Sequence, residues 1–362
     1  MIKILDKYII RKFLSTFFFV VLIFTMIAVV IDFSEKVEDI IEEAITMRQV
    51  VFDYYANFIL FIAGLLWPLF TLIAVIFFTS RLAYNSEVIS ILNAGVSFRR
   101  LLAPYLVSAA FIAGILLVGN HYVIPNGNKK MLDIVYTYFD KDKDKGKTRD
   151  VHMFIAPDTK VYIRSYRKRD STASDFRVEK FEDNRLAYLI KANLAEWQGP
   201  PNHWRLRDYE KRSFNGLEEH LVIGRGQNLD TTLNLSPADF VDYVEQQTMM
   251  TTPELRAFIQ KKRSRGVGNT EKYEIELYRR SAEPFTIFIL TIIGVSIAAR
   301  KVRGGMGLHL ALGIGIGALY IFLSRFAIVF ANGQAVPPLL GIWLPNIVFS
   351  IVAFYLFSRA QK

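Results

Sequence analysis

The sequence predicts an α-helical membrane protein with an inserted all-β domain: six transmembrane helices in a 3+3 arrangement and one β jelly roll. Three observations lead to this fold class. Apolar residues make up 52% of the chain and gather in runs long enough to cross a bilayer. One long polar stretch, residues 125–280, interrupts these runs. Within that stretch, apolar and polar residues alternate between turn signals, as they do in half-buried β-strands.

Six segments are apolar over about 20 residues, the length that a spanning helix needs. They are residues 13–31, 54–80, 101–124, 284–299, 308–329 and 339–357. The glycines of RGGMGLHLALGIGIG open the fifth segment, where small residues allow helices to approach closely. The chain therefore divides into an N-terminal membrane half (1–124), a β domain with helical connectors (125–280) and a C-terminal membrane half (281–362).

Lysine and arginine concentrate in the short connections on one side of the predicted bundle. These connections hold Lys3, Lys7, Arg11, Lys12, Arg81, Arg99, Arg100, Arg300, Lys301, Arg303, Arg359 and Lys362. The other side holds the acidic stretch 32–43 and an uncharged turn at 332–338. Because basic connections face the cytoplasm, both termini and the 81–100 connection are predicted to be cytoplasmic, with the β domain on the far side. The same bias accounts for the net charge of +10, and no nucleic-acid recognition motif accompanies that charge.

The polar stretch contains six segments with period-two alternation. They read VHMFIA, KVYIRSYR, SDFRVEKFED, RLAYLIKANLAEW, HWRLRDYEKRSF and HLVIGRGQNL, with turn residues between them. This spacing predicts an antiparallel sandwich or jelly roll. Residues 126–140 have a helical pattern that extends the third span, and a second helical stretch, 253–280, leads back into the membrane.

No motif supports a catalytic, metal or cofactor site. The chain has no cysteine, which excludes disulfides and thiolate ligands. The triplet GKT at 146–148 lacks the remainder of a phosphate-binding loop, and the five histidines form no i, i+4 pair. Acidic residues are missing from the middle of the spans, which argues against a proton-driven carrier. The sequence thus predicts no enzyme, and a transporter would need an external motor.

The connection at residues 84–100, YNSEVISILNAGVSFRR, has the pattern of an amphipathic helix. Its apolar residues at helical spacing are Val88, Ile89, Ile91, Leu92 and Val96. Ser86 is placed to cap this helix, Glu87 lies in its first turn, and Gly95 is suited to end it. Two interpretations are open at this point: the helix docks in a groove of a cytoplasmic ATPase, or it lies on the inner leaflet.

The segment SEVISILNAGVS resembles the cytoplasmic signature of the lipopolysaccharide export permeases, the LptF/LptG (YjgP/YjgQ) family. That signature runs approximately S-E-x-x-x-x-x-A-x-G-x-S/T, and here Ala94 directly precedes Gly95, which shifts one gap. The opening LDKYIIRKFL, the exit VIPNGNKK and the closing GLHLALGIGIGALYIFLS and VPPLLGIWLPNIVFSIVAFYLF are similar to LptG-type members. The order of these motifs around the 3+3 topology extends the resemblance over nearly the whole chain.

The resemblance implies an inner-membrane permease subunit of an ATP-driven lipopolysaccharide exporter with a periplasmic β jelly roll. The implied partners are a second LptF/LptG-type permease, a cytoplasmic ATPase dimer and a periplasmic bridge protein. Lipid would enter between the first and fifth helices and pass along the apolar β domains. The predicted ATPase-coupling residues are Glu87, Ile91, Ala94, Gly95 and Ser97. The alternative is a non-transporting envelope scaffold or a membrane-anchored β-domain binding protein.

Two basic residues are candidates for contact with the anionic headgroup of such a lipid. Arg325 lies inside the fifth span, where charge is rare; a snorkelling side chain or an interhelical pair is the other interpretation. Lys36 lies at the outer end of the first span, where flanking Glu35 and Glu38 could pair with it instead.

Overall fold

The computed structural model describes residues 3–43, 45–139, 148–183, 185–216, 218–240, 245–268, 270–300 and 305–360, with side chains from 307 onward in the last range. The chain separates into two compact units. The helical unit comprises Met1–Phe139, Gln247–Leu255 and Glu271–Lys362, and the sheet unit comprises Asp140–Gln246 and Arg256–Thr270. The domain limits placed at 124 and 280 stay predictions. The charged run 141–147, Lys301 and Arg303 lie outside the described residues.

The described helices are α1 (Ile4–Glu42), α2 (Ala56–Tyr84), α3 (Glu87–Asn93), α4 (Phe98–Val118), α5 (Ile124–Ile134), α6 (Thr252–Ser264), α7 (Glu271–Ala298), α8 (Gly305–Asn332) and α9 (Pro338–Ala360). A π-helical segment, Gln49–Tyr55, leads into α2. A second, Gly119–Val123, joins α4 to α5, and a third, Val135–Phe139, follows α5. Within the described residues, six helices are long and apolar enough to cross a membrane. The predicted six spans, and the helical extension of the third, are therefore confirmed.

Glycines set the close packing of α2 against α7 and α8. A Cβ atom at Gly294 of α7 would come within 2.8 Å of Val75, and one at Gly317 of α8 within 2.6 Å of Leu69. At Gly313 the same atom would overlap the side chain of Ile76. At Gly294 the neighbour is a Cγ atom of the β-branched Val75, whereas at Gly313 and Gly317 it is the terminal Cδ1 atom of Ile76 or Leu69. The close approach of the Gly-rich run to α2 agrees with the packing role that the sequence predicted.

A buried polar trio fastens the three C-terminal spans to one another. Thr286 of α7 lies 2.7 Å from the Tyr320 hydroxyl of α8 and donates to Asn346 Oδ1 of α9 at 2.9 Å. The Asn346 amide also donates to the carbonyl oxygen of Ala282 at 2.9 Å. An unpaired polar group in hydrocarbon is unfavourable, so these hydrogen bonds satisfy the groups. They also join α7, α8 and α9 at one level of the helical unit.

Six strands form one antiparallel sheet in which each strand pairs only with its neighbours in sequence. They are β1 (Arg149–Ala156), β2 (Thr159–Arg167), β3 (Thr172–Glu182), β4 (Arg185–Gly199), β5 (His203–Asn215) and β6 (Glu218–Thr232). All six predicted strands are confirmed. A jelly roll needs pairing between strands that are distant in sequence, whereas the described strands make an up-and-down meander, so the jelly roll itself is not seen in the described residues.

One face of the sheet is apolar and is covered in part by the segment that follows β6. Across β2, β3 and β4 the buried residues Val161, Val178 and Ile190 lie in register. Phe240 closes over the sheet by stacking on Tyr166, with ring centroids 3.9 Å apart. The alternation of the sequence therefore produces a single apolar face with polar side chains behind it.

A buried ionic latch holds this covering segment in place. Asp239, on the turn at Pro237–Phe240, accepts from Arg265 Nη1 at 2.9 Å and from Lys261 Nζ at 3.0 Å. The Asp239 and Arg265 side chains are both more than nine-tenths buried. Burial raises the pKa of Asp239, but the hydrogen bonds and charges of Arg265 and Lys261 outweigh it, so this pKa lies below its usual value.

We expect Asp239→Asn to destabilise the sheet unit by about 3 kcal/mol, because it leaves the buried Arg265 guanidinium without its carboxylate. Since the folded pKa of Asp239 is depressed, its stabilising effect is complete above about pH 5 and is lost as pH falls below about 4. Hydrogen exchange of residues 149–240 in the full chain measures both effects. Asp175→Asn, which breaks the exposed pair with Arg164, is the matched control and should leave the protection of the sheet unchanged. Equal protection in the two variants would contradict the stabilising role of Asp239.

Candidate functional site

The connection between the second and third spans folds as a short helix with a tight entrance. α3 covers Glu87–Asn93, inside the predicted segment 84–100. Ser86 precedes it with φ 63° and ψ 11°, a left-handed conformation, and its side chain makes no capping hydrogen bond. The predicted Ser86 cap is therefore wrong, because a capping side chain requires an extended backbone to reach the first free N–H groups.

The apolar residues of α3 divide into an inward stripe and an outward stripe. Val88 is almost fully buried in the apolar cluster of the helical unit, and Ile91 packs against the same cluster. Ile89 and Leu92 remain exposed, at 40% and 36% of their surfaces. The single apolar face predicted from the spacing thus has two parts: one anchors the helix, and the other offers an apolar surface to solvent.

Glu87 stands at the start of α3 and makes a contact with α1. Its Oε2 atom accepts from the Tyr8 hydroxyl at 3.3 Å, and its Oε1 atom accepts from the Asn85 amide at 3.2 Å. An acidic side chain at this position also interacts favourably with the helix dipole. The carboxylate is therefore held at the entrance of the helix while part of it stays accessible.

The turn Ala94–Gly95 and Ser97 connect α3 to α4. Gly95 has φ +83° and its N–H donates to the carbonyl oxygen of Leu92 at 3.0 Å, so it ends α3 in the way the sequence predicted. Ala94, just before it, has φ −73° and ψ 9°. Ser97 is the N-cap of α4, and its Oγ atom accepts from the N–H of Arg100 at 3.3 Å. The coupling roles assigned to Ile91, Ala94, Gly95 and Ser97 stay predictions.

Lys36 lies in a pocket of aromatic rings with a carboxylate partner. Its Nζ atom is 2.6 Å from Asp32 Oδ1 and also bonds the Tyr54 hydroxyl, which in turn donates to Asp32 at 2.9 Å. The ammonium group lies 4.7 Å from the centre of the Tyr54 ring and 5.5 Å from that of Phe139. The sequence had suggested Glu35 or Glu38 as partners, but Asp32, one helical turn earlier, fills that role.

Arg325 contrasts with Lys36. It lies on α8, seven residues before the end of the helix at Asn332, and its side chain is exposed. Among the residues that the structure describes, no hydrogen bond or ion pair joins Arg325 to a neighbour. Of the six spans, the first and fifth, which contain α1 and α8, bury the smallest share of their residues. The candidate lipid contact at Arg325 stays a prediction.

Two further contacts of this region carry no signature in the sequence. Arg100 Nη2 of α4 lies 2.6 Å from Asp6 Oδ2 of α1, and Tyr8 reaches Glu87 as described. Asp6 is the one acid among basic residues at the start of α1, which was the only local hint of a partner. The described residues contain no group of three or more His, Asp or Glu side chains that could hold a metal ion.

These features define a class of protein: a multi-pass helical membrane protein with an inserted antiparallel β unit and an amphipathic helix between its second and third spans. The family described as "Lipopolysaccharide export system permease LptF/LptG" matches residues 7–359, which is nearly the whole chain. The chain therefore belongs to the LptF/LptG family. Membership of this permease family, together with six apolar helices, indicates a transport component of the inner membrane rather than a catalytic subunit.

Curated relatives agree with the family at low identity. The lipopolysaccharide export system permease protein LptG of Haemophilus influenzae is 19% identical over 368 residues, covering the whole of both chains. The protein of the same name from Escherichia coli K12 is 20% identical over 203 residues, which is 55% of this chain and 55% of that protein. The match to the Escherichia coli relative thus spans about half its length.

We expect Gly95→Ala to loosen the end of α3 by about 1 kcal/mol, because an alanine is strained at φ +83°. No atom lies within 4 Å of the position that a Cβ would take, so the effect is conformational and not steric. Hydrogen exchange of residues 87–97 measures it. Gly95→Asn, which tolerates this conformation, is the control and should behave like the unsubstituted chain. Equal exchange in the alanine variant and the unsubstituted chain would contradict this explanation.

Proposed function

We propose that this chain is the permease subunit of an ATP-driven exporter that extracts lipopolysaccharide from the outer leaflet of the inner membrane. In this proposal the chain pairs with a second LptF/LptG-type permease, binds a cytoplasmic ATPase dimer and passes the lipid to a periplasmic bridge protein. The observation that carries the proposal is the family match over residues 7–359. The relatives named LptG support it, since their printed name describes lipopolysaccharide export.

The proposed orientation has the termini and α3 in the cytoplasm and the sheet unit in the periplasm. The Lys and Arg bias of the short connections supports it. A structural observation agrees: Asp6 and Tyr8, in the first turns of α1, contact Arg100 and Glu87. The start of α1 and the α3 connection therefore lie at the same end of the helical unit, as the proposal requires.

The proposed ATPase contact is the outward side of α3. Ile89 and Leu92 give it an exposed apolar stripe, while Glu87 adds a charge at its entrance. A helix that docks in a groove uses such a combination of an apolar stripe and flanking charge. The inward stripe, led by Val88, supports this role because it fixes the helix to the spans that must move.

The proposed lipid route runs from the spans to the apolar face of the sheet unit. α1 and α8, the helices of the proposed lateral entrance, are the least covered by their neighbours. Arg325 on α8 supports an anionic headgroup contact, because an exposed guanidinium inside a span is unfavourable until it meets an anion. Lys36 is a weaker candidate, since a headgroup would have to displace Asp32 from it. Jelly-roll closure of the β domains belongs to the proposal.

We expect Glu87→Lys to reduce co-purification of the cytoplasmic ATPase with the full chain by about tenfold or more, because it reverses the charge at the docking entrance. Glu87→Ala should have a smaller effect in the same direction. The amount of ATPase retained per permease, measured after purification in detergent, is the readout. Glu38→Lys, the same charge reversal at the exposed outer end of α1, is the control. Unchanged complex yield and unchanged lipid export in the Glu87 variants would contradict the proposed coupling.

We expect a photo-reactive amino acid placed at position 325 to capture lipopolysaccharide in cells, because the side chain faces the proposed entrance. Mass spectrometry of the cross-linked product identifies the captured molecule. The same probe at Ile351, an exposed residue of α9, is the control and should capture bulk phospholipid instead. Capture of protein alone at position 325 would favour the envelope scaffold over the exporter.

A further inference from the structure

Two polar contacts join the first turns of α1 to the segment that carries α3. Arg100 Nη2 donates to Asp6 Oδ2 at 2.6 Å, and the Tyr8 hydroxyl donates to Glu87 Oε2 at 3.3 Å. The partners are 94 and 79 residues apart in the chain. The contacts are therefore tertiary: they tie the start of the first span to the candidate coupling helix and to the helix that follows it.

Both ends of the Asp6–Arg100 contact are themselves positioned by helix starts. Asp6 Oδ2 also accepts from the N–H of Lys3 at 2.8 Å, so one carboxylate oxygen both caps α1 and holds Arg100. Asp6 is 6% exposed, whereas the Arg100 side chain is 39% exposed, so water reaches the pair from the arginine side. Arg100 lies in the first turn of α4, whose start is set by the Ser97 cap. The geometry thus leaves this ion pair little freedom.

Apolar packing backs the two polar contacts. Ile9 and Phe13 of α1, Val88 of α3 and Leu101 of α4 belong to one buried cluster. Ile9 and Phe13 are fully buried, and Val88 is 1% exposed. A close-packed interior of this kind passes on a displacement because it has no space to absorb it. Movement of α3 therefore has a physical path to α1.

We propose that Asp6 and Arg100 are positioning residues that make the inner end of α1 follow α3. The proposal rests on the proposed function, in which a cytoplasmic ATPase displaces α3. α1 is an unbroken helix of 39 residues, and Tyr54 holds Asp32 at its outer part, roughly 40 Å from Asp6 along the helix axis. A shift at the inner end would then tilt α1, which together with α8 has the smallest buried share among the six spans of the described residues.

The test uses the full chain reconstituted in vesicles with its permease partner and the ATPase, with purified lipopolysaccharide as the probe. Asp6→Asn keeps an acceptor for the Lys3 N–H but removes the charge that holds Arg100. We expect lipid exported per ATP hydrolysed to fall about fivefold or more in Asp6→Asn and in Arg100→Gln. ATPase binding should stay within about twofold of the unsubstituted chain. Asp6→Glu, which keeps the carboxylate, should restore export per ATP.

A distance measurement separates positioning from general loss of structure. The chain has no cysteine, so spin labels can be placed at Ile4→Cys and Ser90→Cys, two exposed positions on α1 and α3. We expect one narrow label-to-label distance through the ATP cycle when Asp6 is present, and a broad distribution in Asp6→Asn. Arg99→Gln, which removes an exposed charge from the residue beside Arg100, is the matched control and should keep the narrow distance.

The outcomes distinguish the two proposals. Normal export per ATP and a narrow distance in Asp6→Asn, in a system where the unsubstituted chain binds the ATPase and exports lipid, overturn the positioning role and leave the proposed function standing. An unsubstituted chain that binds no ATPase overturns the proposed function, and this role with it. Equal defects in Arg99→Gln and Arg100→Gln also overturn the positioning role, because the loss of one basic charge would then explain both defects.

Discussion

The structure depends on one constraint: inside a bilayer no water is present to satisfy backbone N–H and C=O groups. Helices satisfy these groups internally, which is why each long apolar run of this chain is helical. The irregular stretches of the second and third spans are π-helical turns that keep the backbone bonded. The same constraint acts on polar side chains. Thr286, Tyr320 and Asn346 satisfy it by hydrogen-bonding to one another.

Polar contacts near both ends of α1 join this helix to other elements. At the N-terminal end of α1, Asp6 and Tyr8 contact the α3 connection. Nearer its C-terminal end, Asp32 and Lys36 bond Tyr54. Between these points only one stripe of α1 is buried. The first span is thus held at two places and exposed between them, a suitable arrangement for a helix that borders a lipid entrance.

The elements of this fold could be predicted from the sequence because they follow from local patterns. Runs of about 20 apolar residues identify the six spans, and period-two alternation identifies the six strands. Gly95 could be identified as a helix end for the same reason, since its role depends on its own backbone. These features need no knowledge of which distant residues meet.

The features that sequence reasoning missed are those that depend on tertiary pairing. Nothing in the local pattern links Asp6 to Arg100, 94 residues later. Helical spacing placed Val88 and Ile89 on one apolar face, but only the neighbouring spans decide that Val88 is buried and Ile89 exposed. Ser86 makes no side-chain cap because its own backbone is left-handed in the fold, which its residue type does not indicate. Sheet closure is likewise undetermined by strand patterns, since it depends on pairing between strands that are distant in sequence.

The two candidate headgroup contacts differ in what an arriving anion would have to displace. Lys36 already has the Asp32 carboxylate and the face of the Tyr54 ring, so a phosphate there exchanges one anionic partner for another with little net gain. Arg325 has no such competitor among the described residues. A charged side chain at the centre of a spanning helix is unfavourable by about 2.5–3.5 kcal/mol; the penalty is smaller seven residues from the helix end, and an anionic group relieves it. A guanidinium also binds phosphate through two parallel hydrogen bonds. The proposed recognition of the lipid headgroup therefore falls on α8, while Lys36 serves first to hold α1 against the π-helical segment that leads into α2.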